Sequence, residues 1–316
     1  MSLRIRLIEV DDFSPTVLKG LNELGELVTG PCEQEELKSI LDSFDVFWFR
    51  LKYRIDAQVL SETTRCRFIV TPVTGIDHID LDRCDALGIK VICLKGEAEF
   101  LKKVRATAEL TIALAMDIMR NTSRAVQSVK EGQWDRDLFR GNELYEKRVA
   151  IVGMGRLGAI TAGYFEALGC EVKGFDTDKA KVEASTYAMT DSLEELLEWA
   201  EVVSIHVDLH EGSYNLISAK ELKAMGPSAY LINTSRGGIV NESDLLEALQ
   251  EGSIKGAALD VLNGEPDINE EHPLVKYQAT GAENIVITPH IGGNTFESFS
   301  KTEKFIFDKL VSHLNL

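Results

Sequence analysis

Two patterns of apolar and polar residues alternate along the first third of this chain. Short runs rich in β-branched and aromatic residues recur, and amphipathic stretches separate them. The runs predict strands at Arg4–Val10, Asp45–Arg50, Arg67–Thr71 and Lys90–Cys93. The stretches between them predict helices that include Glu33–Ser43 and Asp56–Thr63. Strands that alternate with helices are typical of an α/β fold built on a parallel sheet.

The alternation restarts at Lys147, after one strongly apolar stretch. That stretch, Ala106–Arg120, is apolar around most of its circumference and predicts a buried helix. Six strands are then predicted, at Arg148–Val152, Glu171–Phe175, Val202–Val207, Ala229–Asn233, Lys255–Val261 and Asn284–Thr288. Predicted helices include Ser192–Ala200, Asn241–Glu251 and a final one at Thr295–Leu314, which is free to leave the second sheet and pack on the first domain. Six strands with crossover helices match a doubly wound dinucleotide-binding layout.

Composition narrows the classes of partner. A chain of 316 residues is long enough for about two domains. Its formal net charge of −17 argues against nucleic acid and anionic membranes, because binding phosphates requires concentrated Lys and Arg. Five scattered cysteines without metal-ligand spacing predict reduced thiols, a cytoplasmic location and no metal. No apolar run reaches the roughly 18 residues of a membrane span.

A glycine-rich segment follows the first strand of the second half. Gly153, Gly155 and Gly158 form G-x-G-x-x-G between this strand and a helix, where glycines allow a tight turn and close approach of a pyrophosphate. Asp176 ends the next strand, where a carboxylate accepts hydrogen bonds from ribose hydroxyls and repels a 2′-phosphate. The segment therefore predicts NAD, although Lys179 and Lys181, just beyond, keep NADP open.

Three side chains suited to catalysis follow three of the predicted strands. Arg236 follows AYLIN in TSRGG, Glu265 follows GAALDV in LNGEP, and His290 follows NIVITP. Because ligands bind beyond the carboxyl ends of parallel strands, we expect these side chains to share one edge of the sheet. Each is ordinary by itself, since an isolated Arg, Glu or His in a loop is most often structural.

Hydride transfer to or from a hydroxy acid needs this set of groups. An imidazole can take the hydroxyl proton or return it, and a bonded carboxylate fixes the tautomer of that imidazole. A guanidinium can hold a substrate carboxylate by two parallel hydrogen bonds and polarise the adjacent oxo group. None of these roles requires a metal.

The segments VGMGRLG, INTSRGGIVNESDLLEAL, GAALDVLNGEP and ITPHIGG together resemble the D-isomer-specific 2-hydroxyacid dehydrogenases, over about residues 45–316. The resemblance implies that Arg236 binds the substrate carboxylate, His290 is the acid/base and Glu265 supports it. It implies that Asp260 contacts the nicotinamide carboxamide. It also implies a homodimer and an active site between two domains. The remaining expected cofactor contacts are Arg156, Leu157, His206, Val207, Thr234, Gly292 and Gly293.

The resemblance predicts two Rossmann-like α/β domains. A flavodoxin-like substrate-binding domain is expected at residues 1–105 with 295–316, and a doubly wound NAD-binding domain at 106–294. The expected activity is that of an NAD-dependent D-2-hydroxyacid dehydrogenase acting on a small anionic substrate. The family that the sequence resembles includes glyoxylate and hydroxypyruvate reductases and phosphoglycerate dehydrogenases.

The first domain matches less tightly. TGIDHID resembles a family loop whose backbone N–H groups, here at Thr74 and Gly75, help to hold the substrate carboxylate. Arg50 and Lys52 resemble a paired-cation arrangement of phosphoglycerate dehydrogenases and are candidate ligands for a second anionic group. A solvated basic face is the competing interpretation of these cations, as it is of Lys102, Lys103 and Arg105 in a segment longer than the family's usual one.

Other departures and alternatives remain open. Asp208 and His210 stand where many relatives have Pro and Thr, which leaves the local turn uncertain. A phosphoglycerate dehydrogenase-type activity is the alternative substrate assignment. A non-enzymatic NAD(H)-sensing scaffold on the same fold is the alternative class of protein, and the three side chains do not exclude it. Formate dehydrogenase is disfavoured, because that subfamily has Gln in place of Glu265.

Overall fold

The computed structural model describes residues 2–314, and within them strands and helices alternate. The strands are β1 Leu3–Leu7, β2 Gly25–Thr29, β3 Val46–Trp48, β4 Phe68–Val70, β5 Lys90–Ile92, β6 Arg148–Val152, β7 Glu171–Phe175, β8 Ala188–Met189, β9 Val202–Ile205, β10 Tyr230–Asn233, β11 Gly256–Leu259 and β12 Ile285–Ile287. The helices are α1 Pro15–Leu24, α2 Leu37–Ser43, α3 Leu81–Ala86, α4 Ala98–Leu101, α5 Ala106–Arg120, α6 Thr122–Lys130, α7 Arg156–Ala167, α8 Lys179–Ala184, α9 Leu193–Trp199, α10 Ala219–Met225, α11 Glu242–Glu251, α12 Pro273–Ala279 and α13 Phe296–His313.

The chain forms two compact units. The first contains residues 1–104 and 294–316, and the second contains residues 105–293. In the first unit, five parallel strands lie in the order β2-β1-β3-β4-β5. Helices α1 and α13 pack on one face through Val17, Leu21, Ile306 and Leu310, and α2 packs on the other. This strand order is the flavodoxin-like one, as the sequence predicted.

The second unit contains a seven-stranded parallel sheet in the order β12-β11-β10-β9-β6-β7-β8. Helices α9, α10, α11 and α12 bury apolar residues on one face, and α5 and α7 bury theirs on the other. The strand order reverses between β6 and β9, and ligands of doubly wound sheets bind at such a switch point. The predicted doubly wound sheet is therefore confirmed.

Three local predictions were wrong or incomplete. The short strands β2 and β8 were not predicted, because β2 is a half-exposed edge strand and β8 has only two residues. The helix predicted at Asp56–Thr63 does not form; the segment consists of turns and irregular backbone. There, the Asp56 carboxylate accepts a hydrogen bond from the Gln58 N–H at 2.9 Å, and neighbouring Ile55 pairs with Ile79 across a parallel bridge. These contacts hold the segment in a non-helical conformation.

Helix α5 begins and ends where the sequence predicted, but it is not buried on all sides. Ala108, Leu114, Ala115 and Ile118 are among the residues packed on the second sheet and α7. An exposed stripe runs along the opposite side, through Glu109, Ala113, Met116 and Arg120. The prediction of a buried helix therefore holds for the side that packs on the sheet and α7, and not for this stripe.

Candidate active site

The glycine-rich turn lies between β6 and α7, at the switch point of the second sheet. A Cβ on Gly153 would lie 2.5 Å from the carbonyl oxygen of His206, and one on Gly158 would lie 2.0 Å from that of Gly153. Larger residues therefore cannot fit at either position. A Cβ on Gly155 would meet nothing within 4 Å, so this side of the turn is open. The open turn and the N-terminus of α7 that follows it, at Arg156 and Leu157, fit a pyrophosphate.

Asp176 is joined to this turn. Its Oδ2 accepts a hydrogen bond from the Met154 N–H at 2.8 Å, and its Oδ1 accepts one from the Asp178 N–H at 2.9 Å. The ammonium of Lys181 lies 3.6 Å away. The carboxylate is thus fixed at the end of β7, beside the turn, where it can accept hydrogen bonds from the hydroxyls of a ribose.

His206 and Val207 follow β9 and face the glycine-rich turn through their backbone and side chain, respectively. The Nε2 of His206 lies 2.8 Å from the Ser204 Oγ, and its Nδ1 is sealed from solvent. Burial lowers the pKa of His206 to about 3, so this imidazole is neutral at physiological pH. Its contribution to the site is therefore one of shape and backbone rather than charge.

The turn after His206 is intact despite the unusual residues in it. His210 caps a 3₁₀ turn at Glu211–Ser213, accepting a hydrogen bond from the Gly212 N–H at 3.1 Å. The Ser213 hydroxyl donates to the carbonyl of Asp208 at 2.6 Å. Histidine thus supplies the capping acceptor that this turn needs.

Strand register brings the three candidate catalytic residues to one edge of the second sheet. Asn233 of β10 pairs with Leu259 of β11, and Leu259 pairs with Ile287 of β12. Arg236 follows the first of these aligned positions by three residues, Glu265 the second by six, and His290 the third by three. Three adjacent parallel strands therefore deliver these residues at the same level.

The turn that carries Arg236 is fixed by its own polar groups. The Asn233 side chain donates to the Arg236 carbonyl at 2.9 Å and accepts from the Ser235 N–H at 3.0 Å. The Thr234 hydroxyl lies 2.8 Å from that of Thr111 on α5. A Cβ on Gly237 would lie 2.0 Å from the Leu262 carbonyl carbon, so the Arg236 turn packs directly against the loop that carries Glu265.

Asp260 organises the loop that carries His290. Its Oδ1 accepts hydrogen bonds from the Thr288 hydroxyl at 2.6 Å and the Ile291 N–H at 2.8 Å, and its Oδ2 accepts from the Gly292 N–H at 2.8 Å. Burial raises the pKa of the Asp260 carboxyl, and these three donors oppose that shift. Gly292 is buried against this carboxylate, whereas Gly293 is exposed.

The loop places His290 against Glu265. The backbone of His290 has a φ of +52°, a conformation that few non-glycine residues adopt, and its N–H donates to the Asp260 carbonyl at 2.9 Å. The Nδ1 of His290 lies 2.5 Å from the Glu265 Oε2. The other carboxylate oxygen, Oε1, accepts from the Leu262 N–H at 2.6 Å. This arrangement leaves Nε2 as the imidazole nitrogen that is not bonded to Glu265.

In the first unit, Arg50 follows β3 but is engaged by carboxylates of the same unit. Its Nη2 lies 2.7 Å from the Oε1 of Glu303, whose side chain is fully buried, and its guanidinium stacks on Phe299 at 3.9 Å from the ring centroid. The Arg50 N–H donates to the Glu9 carboxylate at 2.5 Å. Burial raises the pKa of Glu9, while Arg50 and Lys52 oppose that shift.

The other predicted residues of the first unit lie in two loops. Lys52 is exposed, with its ammonium 5.4 Å from the centre of the Tyr53 ring. Thr74 and Gly75 follow β4, with Thr74 exposed and Gly75 half-buried. The structure therefore places Arg50, Lys52, Thr74 and Gly75 beyond the carboxyl ends of neighbouring strands of the first sheet.

The basic segment before α5 contains the short helix α4. The Lys102 ammonium lies 2.6 Å from the Glu99 carboxylate, and both side chains are exposed. Lys103 and Arg105 are exposed in the same stretch. Lys102 is therefore paired within its own segment.

Sequence reasoning missed two polar residues that hold the catalytic loops. Asn233 is the last residue of β10, and Thr288 follows β12; both bond loop atoms rather than solvent. The available signal was a polar side chain at the buried end of an apolar strand. Such a group must find a partner, and here the partner is the loop that follows the strand or the aspartate beside it.

Comparisons with known proteins agree with this geometry. The family model described as the NAD-binding domain of the D-isomer specific 2-hydroxyacid dehydrogenases matches residues 112–292. A glyoxylate reductase of Thermofilum pendens is 34% identical over 291 residues, which are 90% of this chain and 82% of that protein. A D-3-phosphoglycerate dehydrogenase of Methanocaldococcus jannaschii is 31% identical over 298 residues, which are 93% of this chain. This chain covers only 54% of the length of that second relative.

A solved structure supports the same assignment. The D-lactate dehydrogenase of Aquifex aeolicus in complex with NAD and lactic acid is 25% identical, with a TM-score of 0.83 over 98% of this chain and 95% of that chain. This chain belongs to the D-isomer specific 2-hydroxyacid dehydrogenases. The class of NAD-dependent dehydrogenases acting on CH–OH groups, and NAD as the cofactor, are confirmed as the sequence predicted. Within residues 2–314, no helix has both the length and the apolarity to cross a membrane.

Proposed function

We propose that this chain interconverts a D-2-hydroxy acid and its 2-oxo acid with NAD(H). The observation that carries the proposal is the hydrogen bond of 2.5 Å between the His290 Nδ1 and the Glu265 carboxylate. Arg236 follows the neighbouring strand, in a turn packed against the Glu265 loop. An imidazole oriented by a carboxylate beside a guanidinium is the set that hydride transfer to a 2-oxo acid requires.

In the reductive direction, these residues bind the substrate and supply the proton. NADH, when bound at the glycine-rich turn, supplies the hydride that adds to the carbonyl carbon. Arg236 holds the substrate carboxylate and polarises the neighbouring oxo group. His290 donates its Nε2 proton to the carbonyl oxygen, which becomes the hydroxyl. Glu265 stabilises the imidazolium before this transfer and keeps a proton on Nδ1 afterwards. Oxidation reverses each step, with His290 as the base.

We propose that Asp260 supports the nicotinamide end of the site through the loop that it fixes. Both of its oxygens accept hydrogen bonds from residues 288–292. Gly292 and Gly293 lie in that loop, where small residues permit close approach of a ligand. The expected contacts His206 and Val207 follow β9, and Thr234 follows the neighbouring strand β10, so they complete the same proposed site.

The charges of the first unit favour a substrate without a second anionic group. The Arg50 guanidinium is paired with buried Glu303. The positive charges of Arg50 and Lys52 both lower the pKa of Glu9, against the effect of burial. These two carboxylates offset the charges of Arg50 and Lys52, which disfavours binding of a phosphate by these two cations. We propose that Thr74 and Gly75 assist in binding the substrate carboxylate, that Arg50 mainly holds its loop, and that the substrate side chain is small and unphosphorylated.

A panel of oxo acids tests this proposal. With NADH, kcat/KM for glyoxylate or hydroxypyruvate should exceed that for phosphohydroxypyruvate by about tenfold or more, equivalent to about 1.4 kcal/mol. Pyruvate and bulky oxo acids complete the panel, and oxidation of NADH is followed by absorbance. Preference for phosphohydroxypyruvate, with that preference lost in Lys52→Ala, would instead support a phosphate site at the first-unit cations. Absence of turnover with every oxo acid would contradict the proposed activity.

We propose that the protein is a homodimer and that formation of the dimer buries exposed apolar side chains of the second unit. Of the ten large apolar side chains exposed among residues 2–314, six lie between positions 116 and 145: Met116, Val126, Val129, Trp134, Leu138 and Tyr145. Exposed apolar side chains that form one patch are typical of an association surface, and we propose that these six form such a patch. Sedimentation at micromolar concentration should give twice the chain mass, and Trp134→Asp should give monomers. A wild-type monomer under these conditions would contradict the proposal.

We place the protein in the cytoplasm on the state of its thiols. All five cysteines are buried and unpaired. Burial raises the pKa of Cys66 to about 12 and those of Cys84 and Cys170 to about 11, so these thiols are protonated and unreactive at neutral pH. A reducing compartment suits a chain with this set of free thiols.

A further inference from the structure

A second glutamate–histidine pair, in addition to Glu265 and His290, contacts the loop that carries Glu265. Glu242, in the first turn of α11, and His272, directly before α12, are 30 residues apart in sequence. The His272 Nε2 lies 3.1 Å from the Glu242 Oε2, and only 13% and 16% of the two side chains are exposed. Burying a charged group costs free energy unless hydrogen bonds or an opposite charge compensate for it, so the partners of this pair are informative about its role.

The second pair is connected to the first through a single stretch of backbone. The Glu242 Oε1 accepts a hydrogen bond from the Asn263 N–H at 2.7 Å, and the Glu265 Oε1 accepts one from the preceding N–H, that of Leu262, at 2.6 Å. Two carboxylates therefore hold consecutive N–H groups of the loop. The other oxygen of Glu265 contacts His290. A displacement of this loop would move Glu265 relative to the imidazole.

The charges of the two pairs also interact. Burial raises the pKa of Glu242 and the carboxylate of Glu265 adds to that shift, whereas the Asn263 N–H and His272 oppose it. Asp260, at the end of β11, and Arg236, after β10, are also charged groups at the sheet edge of the Glu265–His290 pair. On the α11 side, Glu242 is the carboxylate that bonds the Glu265 loop, whereas Asp244 of the same turn accepts a hydrogen bond from the Ala219 N–H.

Hydrogen bonding indicates which form of the second pair is present. The His272 Nδ1 is buried and has no acceptor among the described residues, whereas Nε2 meets the Glu242 carboxylate. A neutral imidazole with its proton on Nε2 satisfies this geometry. A charged imidazole would carry a second N–H, on Nδ1, into a place without an acceptor. In this form of the pair, the negative charge lies on Glu242.

We propose that Glu242 and His272 form a positioning pair for the acid/base couple, fixing the Glu265 loop and keeping a negative charge beside it that favours protonated His290. The proposal deepens the function proposed above and rests on His290 as the proton donor. Neither residue touches the reacting atoms. Their effect is expected in the proton affinity of His290 and only weakly in cofactor binding.

The charge-removing variant Glu242→Gln is the direct test. Its amide oxygen can still accept the Asn263 N–H, so the loop keeps that bond while the charge is lost. The titration of His290 is followed by NMR in protein labelled at histidine Cε1, and its signal is assigned by its absence from His290→Asn. We expect the His290 midpoint to fall by roughly 0.5 pH unit, a loss of about 0.7 kcal/mol in the interaction that favours the imidazolium.

Kinetics provide a second readout of the same effect. The alkaline limb of kcat/KM for glyoxylate reduction should move down by a similar amount, because this limb reports loss of the donated proton. The Kd for NADH should change less than about twofold. Glu247→Gln, an exposed change on the same helix, should move neither midpoint. His272→Gln can still donate to Glu242 and should keep the wild-type midpoint. His272→Phe removes the donor that favours ionised Glu242, so it should shift the midpoint downward, as Glu242→Gln does.

The outcomes separate the two proposals. An unchanged His290 midpoint in folded Glu242→Gln overturns the positioning pair, as does a rate that falls equally at every pH. A wild-type protein that turns over no oxo acid overturns the proposed function, while the NMR titration still decides the role of Glu242. A normal melting temperature for each variant confirms that the protein has folded.

Discussion

Replacement of His290 by asparagine should lower kcat for oxo-acid reduction by about 10²- to 10⁴-fold, the range that a general acid/base contributes. The Kd for NADH should stay close to that of the wild type, since the glycine-rich turn lies after a different strand. Asparagine suits this test because it tolerates the positive φ of +52° at this position better than most residues do. A loss of rate would therefore reflect the missing imidazole rather than a distorted loop.

Two comparisons make this result specific. Glu265→Gln removes the charge beside the Nδ1 of His290 and should lower kcat by a smaller factor, because the imidazole itself remains. His313→Asn, at the end of α13 in the first unit, should have no effect on turnover. If His290→Asn reduced the oxo acid at a near-normal rate, the acid/base assignment would be wrong. NADH binding is followed by fluorescence and turnover by absorbance at saturating substrate.

Much of the second sheet could be predicted, because its strands leave a strong pattern. Strands β9, β10 and β11 are buried along their whole length, so each is a continuous apolar run in the sequence. Strand β2 offered no such pattern: it begins with glycine, includes an exposed glutamate and lies at a sheet edge. Strand β8 is too short for any periodicity.

The site was predictable only in part, and for a related reason. Arg236, Glu265 and His290 each follow an apolar strand, so the rule for parallel sheets places them at one edge. The sequence could not show that Arg50 is paired with Glu303, since 253 residues separate them. The Glu242–His272 contact was equally hidden, because it joins the starts of two helices that pack together only in the folded sheet. Local patterns predict strand ends, whereas charge compensation depends on the tertiary fold.

The polar groups at these strand ends form a connected framework. Asn233 bonds the turn after β10, Asp260 bonds the loop after β12, and Glu242 bonds the loop after β11. Each of the three loops that carry the proposed catalytic residues is thus held by a buried or half-buried side chain. Because such groups cost free energy when they lose their partners, they restrict the loops to one conformation. A preorganised guanidinium and imidazole are what the proposed reaction requires.

Substitution of Arg236 is the second change expected to have a large effect. Arg236→Ala should lower kcat/KM for the oxo acid by roughly 30- to 1,000-fold, or about 2–4 kcal/mol, the size of a lost bidentate bond to a carboxylate. Arg236→Lys should recover only part of this loss, because an ammonium keeps the charge but cannot form two parallel hydrogen bonds. Binding of NADH should be nearly unchanged in both variants, since the proposed partner of Arg236 is the substrate.

Chemical rescue distinguishes a binding role from a structural one. Ethylguanidinium can occupy the space left in Arg236→Ala, so adding it should raise kcat/KM with the oxo acid if the guanidinium acts on the substrate. The exposed residue Arg67 of the first unit provides the control, because Arg67→Ala should behave as wild type with or without the added cation. Failure of rescue in Arg236→Ala, together with a lowered melting temperature, would assign the loss to the turn. In that case the carboxylate of the substrate would have to be held elsewhere, and Thr74 and Gly75 would be the next groups to examine.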